Sequence, residues 1–433
     1  MSTARLTRHY VVLGALRWAP VGLVLPFMVI TPEARGLSLG AIGAVLAVHS
    51  VVTMLLEVPS GALADTVGRR RVMLAGAALT ALSLLVFAAA QSIGAFAAST
   101  GLLAAGRAMI SGALEAWYVD SLRSIDPVAP LARGLSRGTA AEGIGMAAGS
   151  LLGGALVAIA GPGSGAFSGY GIAALAGAVA ASVYFVAVAV LVREPPVSRP
   201  DERESIGRQT REVVATARAE AAASVTVRVV FATAIALGVS LTAVELLWQP
   251  RLADLLGDSG TEGFVFGALA AASMLAVALG AGLSPVVARR LGLRPAYLTI
   301  LGVGAVCVAV LGAPASPLAF AAVYLLAYAL LGLAEPMHYE LLNDAVGSKA
   351  RATLMSAESF ATQSGSLVAN LGLGALAAAQ GVSATWVLAG VVLGGTCAAI
   401  GRPLLRTRGA RRAATQPTPK PLHPPLRFDP PPE

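Results

Sequence analysis

The sequence has little charge, few aromatic residues and almost no cysteine. Only 12% of its 433 residues are charged and 5% are aromatic, and the two cysteines are Cys307 and Cys397. Each cysteine lies alone inside an apolar run, so we expect two small hydrophobic side chains rather than a disulfide or a metal site. The two lysines, Lys349 and Lys420, lie outside any Gly-rich phosphate loop. This argues against ATP as a direct energy source, and we expect no cofactor and no metal.

Long apolar runs take up most of the chain. The sequence is 56% hydrophobic, with a mean hydropathy of +0.75. About 20 helical residues cross a bilayer core of about 30 Å, and these runs lack the alternation of outer-membrane strands. The sequence therefore predicts an all-α polytopic membrane protein with twelve transmembrane helices in two pseudo-symmetric six-helix bundles, rather than an enzyme. We place the helices near 10–30, 39–60, 72–91, 94–119, 136–160, 169–192, 226–248, 263–287, 295–313, 317–343, 352–379 and 382–401.

Basic residues indicate the orientation of these helices. Of the 31 Lys and Arg residues, 27 fall in loops and tails on the side of the N-terminus. Arg35 and Arg251 lie on the opposite side, and Arg17 and Arg107 lie within helices. Such an asymmetry predicts a plasma-membrane protein with both termini in the cytoplasm.

A charged stretch between the sixth and seventh helices divides the chain into two halves. A shift of 220 residues carries the Arg69–Arg70 pair onto the Arg289–Arg290 pair, and Glu115 onto Glu335. This indicates a duplication with a central site between the halves. The predicted units are an N-terminal bundle at 1–193, a cytoplasmic linker at 194–224, a C-terminal bundle at 225–405 and a disordered, basic, Pro-rich tail at 406–433.

The stretch GALADTVGRRRVML, at 61–74, places one acid and three arginines between two apolar runs. It resembles the loop signature of the major facilitator superfamily, and the neighbouring LLEVPSGALAD and SGALEAWYVDSL resemble its drug exporter branch. The resemblance implies two bundles that rock about a central cavity, with drug/proton antiport. The predicted gating loop comprises Glu57, Gly61, Asp65, Gly68, Arg69 and Arg70.

Two interpretations of this loop are open. In the first, the glycines allow a turn and a close helix approach, and Asp65 faces a helix N-terminus or pairs with an arginine across the bundle interface. Such a contact would hold the cytoplasmic side shut. In the second, the loop only fixes topology, which requires the arginines alone.

Ionisable residues at bilayer depth each cost about 2.5 to 3.5 kcal/mol even on the lenient insertion scale. Residues spaced four apart would form polar stripes that line a wet cavity or hydrogen-bond between packed helices. The predicted stripes are Arg107, Ser111 and Glu115; His49, Thr53 and Glu57; and Glu358, Thr362, Ser366 and Asn370.

Buried arginines at this depth need partners. We expect Arg17 and Arg107 to pair with Glu115 or Glu142, and one carboxylate to exchange its arginine for a proton during transport. A static structural ion pair is the alternative. The proton-coupling candidates are Arg17, His49, Arg107, Glu115 and Glu142, and the substrate-cavity candidates are Glu245, Glu335, His338, Glu358 and Asn370.

On the fifth helix, GMAAGSLLGG resembles the spaced glycines of the exporter signature, with Ser150 where that signature has proline. The glycines are Gly145, Gly149, Gly153 and Gly154. Spaced glycines also let two helices touch, which needs no functional role.

Together these features predict a monomeric, proton-coupled exporter of amphipathic small molecules such as drugs or natural products. Its ligands would be a small-molecule substrate and protons in a lipid bilayer, with no nucleic acid. One alternative is a facilitator or proton-linked importer of a small metabolite. The other is a transport-dead sensor or scaffold.

Overall fold

The computed structural model describes residues 2–194, 206–257, 260–346 and 348–406, and these are helical without strands. A single 3₁₀ turn, Leu25–Phe27, follows the first helix. The α-helices are α1 (Thr3–Val24), α2 (Ile30–Ala34), α3 (Leu39–Val67), α4 (Arg69–Ala89), α5 (Ile93–Ile110), α6 (Ala113–Ile125), α7 (Leu131–Ala160), α8 (Gly169–Leu191), α9 (Ile206–Ala223), α10 (Val225–Leu256), α11 (Glu262–Leu291), α12 (Leu293–Val310), α13 (Pro317–Ala345), α14 (Ser348–Gln380) and α15 (Val382–Arg406).

The predicted all-α membrane fold is confirmed. Among the described residues, eleven stretches are long and apolar enough to cross a membrane. The remaining predicted segment, 352–379, is α14, a 33-residue helix that packs against α3 and α10. The polar side chains of its stripe lower the mean hydropathy of this helix. They are tolerated at this depth because they face other helices rather than lipid. Of the predicted tail at 406–433, Arg406 ends α15, and residues 407–433 lie outside the described residues, as does the linker stretch at 195–205.

The predicted fourth helix is broken in two. Ser111 is extended, Gly112 has a φ of +74°, and a new helix, α6, begins at Ala113. A left-handed glycine ends a helix readily because it has no Cβ to clash. The expected single stripe of Arg107, Ser111 and Glu115 on one helix is therefore wrong.

The two halves repeat the same packing pattern. In the first half α1 packs on α7, α3 on α5 and α4 on α8. In the second half the equivalent pairs are α10 on α14, α11 on α13 and α12 on α15. The halves meet where α3 packs on α14 and α7 packs on α11.

The halves are joined tightly at the end of the helices away from the N-terminus. An aromatic cluster there joins Phe27 of the first half to Trp248 and Phe266 of the second. A methyl group added to Gly154 would come within 2.9 Å of the Cα of Gly267, so α7 and α11 touch backbone to backbone. We call this contact the distal seal. It closes the space between the halves on that side.

Candidate functional site

An ionic cluster lies inside the first half. Arg17 Nη1 lies 3.0 Å from Glu115 Oε1, and Arg17 Nη2 lies 2.9 Å from Glu142 Oε1. The three side chains come from α1, α6 and α7, and are 14%, 35% and 18% exposed. Glu115 lies in the first turn of α6, where the helix dipole favours a negative charge. One arginine therefore balances two carboxylates at bilayer depth.

Trp18 connects this cluster to the second buried arginine. Its indole Nε1–H donates to Glu142 Oε2 at 3.1 Å, and its ring lies 4.5 Å from the guanidinium carbon of Arg107. Among the described side chains, no carboxylate lies within 4.0 Å of Arg107. The expectation that Arg107 pairs with an acid is therefore wrong, because the break at Gly112 separates it from Glu115. An aromatic ring beside an arginine, as in LRWAP, is the sequence signal that could have indicated Trp18.

A cavity of about 140 Å³ lies beside Arg107 and Trp18. Of the five predicted proton-coupling residues, it brings together Arg17, His49 and Arg107, but not Glu115 or Glu142. Gln363 of α14 reaches it from the second half, so the cavity lies between the halves. Its lining residues are Arg17, Trp18, Val21, His49, Thr53, Thr80, Arg107, Ala108, Ile110, Ser111 and Gln363.

The ionisable residues of the second half form a separate buried network. His338 Nδ1 and the Tyr297 hydroxyl are 2.6 Å apart, and His338 Nε2 lies 3.2 Å from Glu358 Oε1. The Tyr297 hydroxyl donates to Thr233, and Glu358 accepts from Thr362. These contacts hold the four side chains within the second half, and His338 Nε2 faces Glu358 without a hydrogen bond.

The remaining predicted cavity residues also lie elsewhere. Glu245 accepts a hydrogen bond from the Tyr328 hydroxyl. Asn370 is buried where α14 crosses Gly43 of α3, and Glu335 is exposed. The five predicted residues Glu245, Glu335, His338, Glu358 and Asn370 do not line the cavity beside Arg107. Their contact with substrate stays a prediction.

The predicted gating loop is held within the first half. Gly68 has a φ of +104° and begins α4. Arg69 forms an ion pair with Asp120 of α6. The backbone N–H of Arg70 donates to Glu194 Oε1 at 2.7 Å, and its guanidinium donates to a carbonyl at the end of α8. These contacts anchor the loop to its own bundle.

Part of the gating hypothesis fails and part is untested. Gly61 makes no close helix approach, because a methyl group added there would meet nothing within 4 Å. The side chains of Glu57 and Asp65 lie outside the described residues, so a contact of Asp65 across the bundles stays a prediction.

The spaced glycines of α7 pack against two different helices. Gly145, Gly149 and Gly153 face the backbone of α1; a methyl group on Gly149 would lie 3.0 Å from the backbone N of Leu23. Gly154 instead faces α11 in the distal seal. Close packing accounts for all four glycines, and a specific role in export stays a prediction.

Solved structures of transporters share this fold. The nucleoside transporter NupG aligns with a TM-score of 0.72 and 14% identity, over 94% of this chain and 100% of that chain. A POT family transporter in complex with 5-aminolevulinic acid aligns with a TM-score of 0.69 and 12% identity, over 94% and 96%. A mutant of the peptide transporter POT gives 0.68 and 15%, over 93% and 94%. At these identities the likeness shows the fold alone. None of the curated protein sequences compared with this chain matches it.

The sequence also matches a family profile, which shows the family directly. The profile described as Major Facilitator Superfamily matches residues 11–339, about three quarters of the chain. Two six-helix halves, a cavity between them and a seal at one end fit secondary transport by alternating access. The chain is therefore a multi-pass membrane transporter of a small-molecule substrate, and it belongs to the Major Facilitator Superfamily.

Proposed function

We propose that this chain is a proton-coupled exporter of amphipathic small molecules in the plasma membrane, with both termini in the cytoplasm. The observation that carries the proposal is Arg17 placed between Glu115 and Glu142. Loss of its contact with Arg17 would leave the Glu142 carboxylate, 18% exposed, without a counter-charge, and a proton could then neutralise it. The cluster is therefore a proton-binding site whose occupancy depends on geometry.

Helix movement supplies the change in geometry. Arg17, Glu115 and Glu142 lie on α1, α6 and α7, so a shift of one helix against another lengthens one ion pair and shortens the other. A proton then binds to the carboxylate that has lost the arginine, and favours the conformation in which the two are apart. Arginine and proton exchange places as α1, α6 and α7 shift against one another within the first bundle.

The available energy is sufficient for this mechanism. One proton that moves through 100 mV releases about 2.3 kcal/mol, which sustains a solute gradient of about fiftyfold. Export is supported by the likeness of the loop at 61–74 and its neighbours to drug exporters. The second candidate is proton-linked import of a small metabolite, which is supported by similarity to structures named nucleoside and peptide transporters.

The test is flux of a panel of lipophilic dyes and antibiotics in inside-out and right-side-out vesicles, with and without a protonophore. Wild type is compared with Glu115→Gln, Glu142→Gln and the control Glu340→Gln, an exposed carboxylate on α13. We expect protonophore-sensitive flux that is lost in at least one cluster variant and kept in the control. Gradient-driven flux that persists in both cluster variants would remove the cluster from the mechanism. Accumulation in right-side-out vesicles would favour import.

A further inference from the structure

We propose that Arg107 binds the anionic group of the substrate, so that this transporter carries amphipathic molecules with a single negative charge. The inference rests on the proposed transport function and specifies the substrate class for the cavity beside Arg107. It starts from a contrast between the two arginines of the first half. Arg17 has two carboxylates, and Arg107 has none among the described side chains.

The energetics of Arg107 call for a counter-charge. An arginine at bilayer depth is costly unless a partner compensates its charge. The ring of Trp18 offsets part of this cost through a cation–π contact. Among the described residues the Arg107 guanidinium donates no hydrogen bond, so its N–H donors are open to a ligand. An anion in the cavity would supply the missing charge and accept those donors.

The cavity has the composition of a site for a small monoanion with an apolar body. Its volume of about 140 Å³ is close to that of a protein cavity that holds one benzene molecule. His49, Thr53 and Ser111 provide polar groups at its wall, while Val21 and Ile110 provide apolar surface. A carboxylate on an aromatic or aliphatic body matches both kinds of wall.

The charge of the surroundings selects a monoanion over a phosphate. Arg17, the other arginine that lines the cavity, is already engaged by Glu115 and Glu142. A dianion would then face one unpaired guanidinium and a nearby ionic cluster with a net negative charge. A phosphate site generally needs more positively charged side chains than one arginine.

A ligand in this cavity would contact residues of both halves. Gln363 of α14 is the cavity residue that the second half contributes. A ligand held between Arg107 and Gln363 therefore contacts both bundles at once. Its release would accompany their separation, as alternating access requires.

The test uses benzoate as the monoanionic probe and benzamide as its neutral counterpart, with the purified full-length protein at pH 7.5 and no proton gradient. Binding is measured by calorimetry and by thermal shift. We expect wild type to bind benzoate at least tenfold more tightly than benzamide. Arg107→Gln should lose this preference, Arg107→Lys should keep part of it, and the exposed control Arg123→Gln should keep all of it.

Equal affinity of wild type for benzoate and benzamide would overturn the inference, and this comparison needs no variant to fold. A preference for benzoate that survives in folded Arg107→Gln would also overturn it. Failure of the transport proposal is distinguishable. If benzoate is preferred but no gradient-driven flux exists, the anion site stands alone, and if dye flux is proton-driven without a preference for benzoate, the anion site fails alone.

Discussion

The side chain of Gln249 in the second half is hydrogen-bonded to the backbone of Val29 in the first half. Gln249 Oε1 accepts from the N–H groups of Val29 and Ile30 at 2.9 and 3.0 Å, and its Nε2 donates to the carbonyl of Leu25 at 3.1 Å. Val29 and Gln249 are 220 residues apart, the shift that relates the two halves of the sequence. They therefore occupy equivalent positions, and each lies near the axis that relates the bundles.

We expect Gln249→Leu to open the distal seal. The backbone groups of Val29 and Ile30 follow a 3₁₀ turn, and the buried Gln249, 1% exposed, is their partner. A buried donor left without an acceptor costs about 1 to 3 kcal/mol, so the ratio of sealed to open conformations should fall by about 5- to 150-fold. Labelling of a cysteine placed at Val157, which lies in the aromatic cluster of the seal, should speed up accordingly.

The matched control for this prediction is Gln91→Leu. Gln91 is exposed at the same end of the molecule and donates to the carbonyl of Ser164 within its own half. Its loss should leave the labelling rate unchanged. A rate for Gln249→Leu equal to that of the control would show that the hydrogen bonds do not hold the seal.

Two glycines on α7 should respond oppositely to the same substitution. A methyl group on Gly145 would collide with the backbone of Ala15 on α1, whereas on Gly143 it would meet nothing within 4 Å. We expect Gly145→Ala to lower the free energy of unfolding by about 1 to 3 kcal/mol, and Gly143→Ala to raise it by about 0.5 to 1 kcal/mol. Thermal unfolding in detergent measures both, and equal midpoints would contradict the packing role of Gly145.

The positions of the helices could be predicted from the sequence because hydropathy reports transfer into lipid. The predicted segment 226–248 is the apolar part of α10, which continues to Leu256 beyond that apolar run. The break at Gly112 was missed because the composition stays apolar across it. The Ser111–Gly112 pair is the local signal, since such pairs commonly mark helix breaks.

Contacts in the candidate site could be predicted from the sequence only where a positive and a negative side chain lie at a similar depth in the membrane. Arg17 needed a carboxylate, and the two acids closest to its depth were Glu115 and Glu142. The unpaired state of Arg107 depends on where α5 ends, which composition does not report. The role of Gln249 was missed for a similar reason: a polar residue beside a proline shows nothing of a backbone partner 220 residues away.

Stability should depend on pH through Glu33 at the distal seal. Burial, with the charge of Asp254 as a smaller cause, raises the pKa of the Glu33 carboxyl above its ordinary value. A raised pKa means that the folded state favours the protonated form, so this contribution is complete below the usual carboxyl range and is lost as pH rises through the raised pKa. We expect the thermal midpoint of wild type to fall over that window.

Glu33→Gln isolates this contribution because the amide stays neutral. Its midpoint should fall less steeply with pH than that of wild type in the same window, while the exposed control Glu340→Gln should follow wild type. Parallel curves for wild type and Glu33→Gln would mean that another group causes the pH dependence.

Removal of Arg17 should be the most damaging single change in the cluster. Arg17→Leu leaves Glu115 and Glu142 facing each other without a cation, and breaking this partly buried ion pair should cost up to about 3 kcal/mol, less than a fully buried pair would. Adding Glu142→Gln to this variant should recover part of the loss, because it removes one of the two uncompensated charges and its amide can still accept from Trp18. Thermal midpoints of the two single variants and the double variant give the coupling. If the losses simply add, the three side chains do not act as one electrostatic unit, and the exchange of arginine for proton proposed for this transporter loses its physical basis.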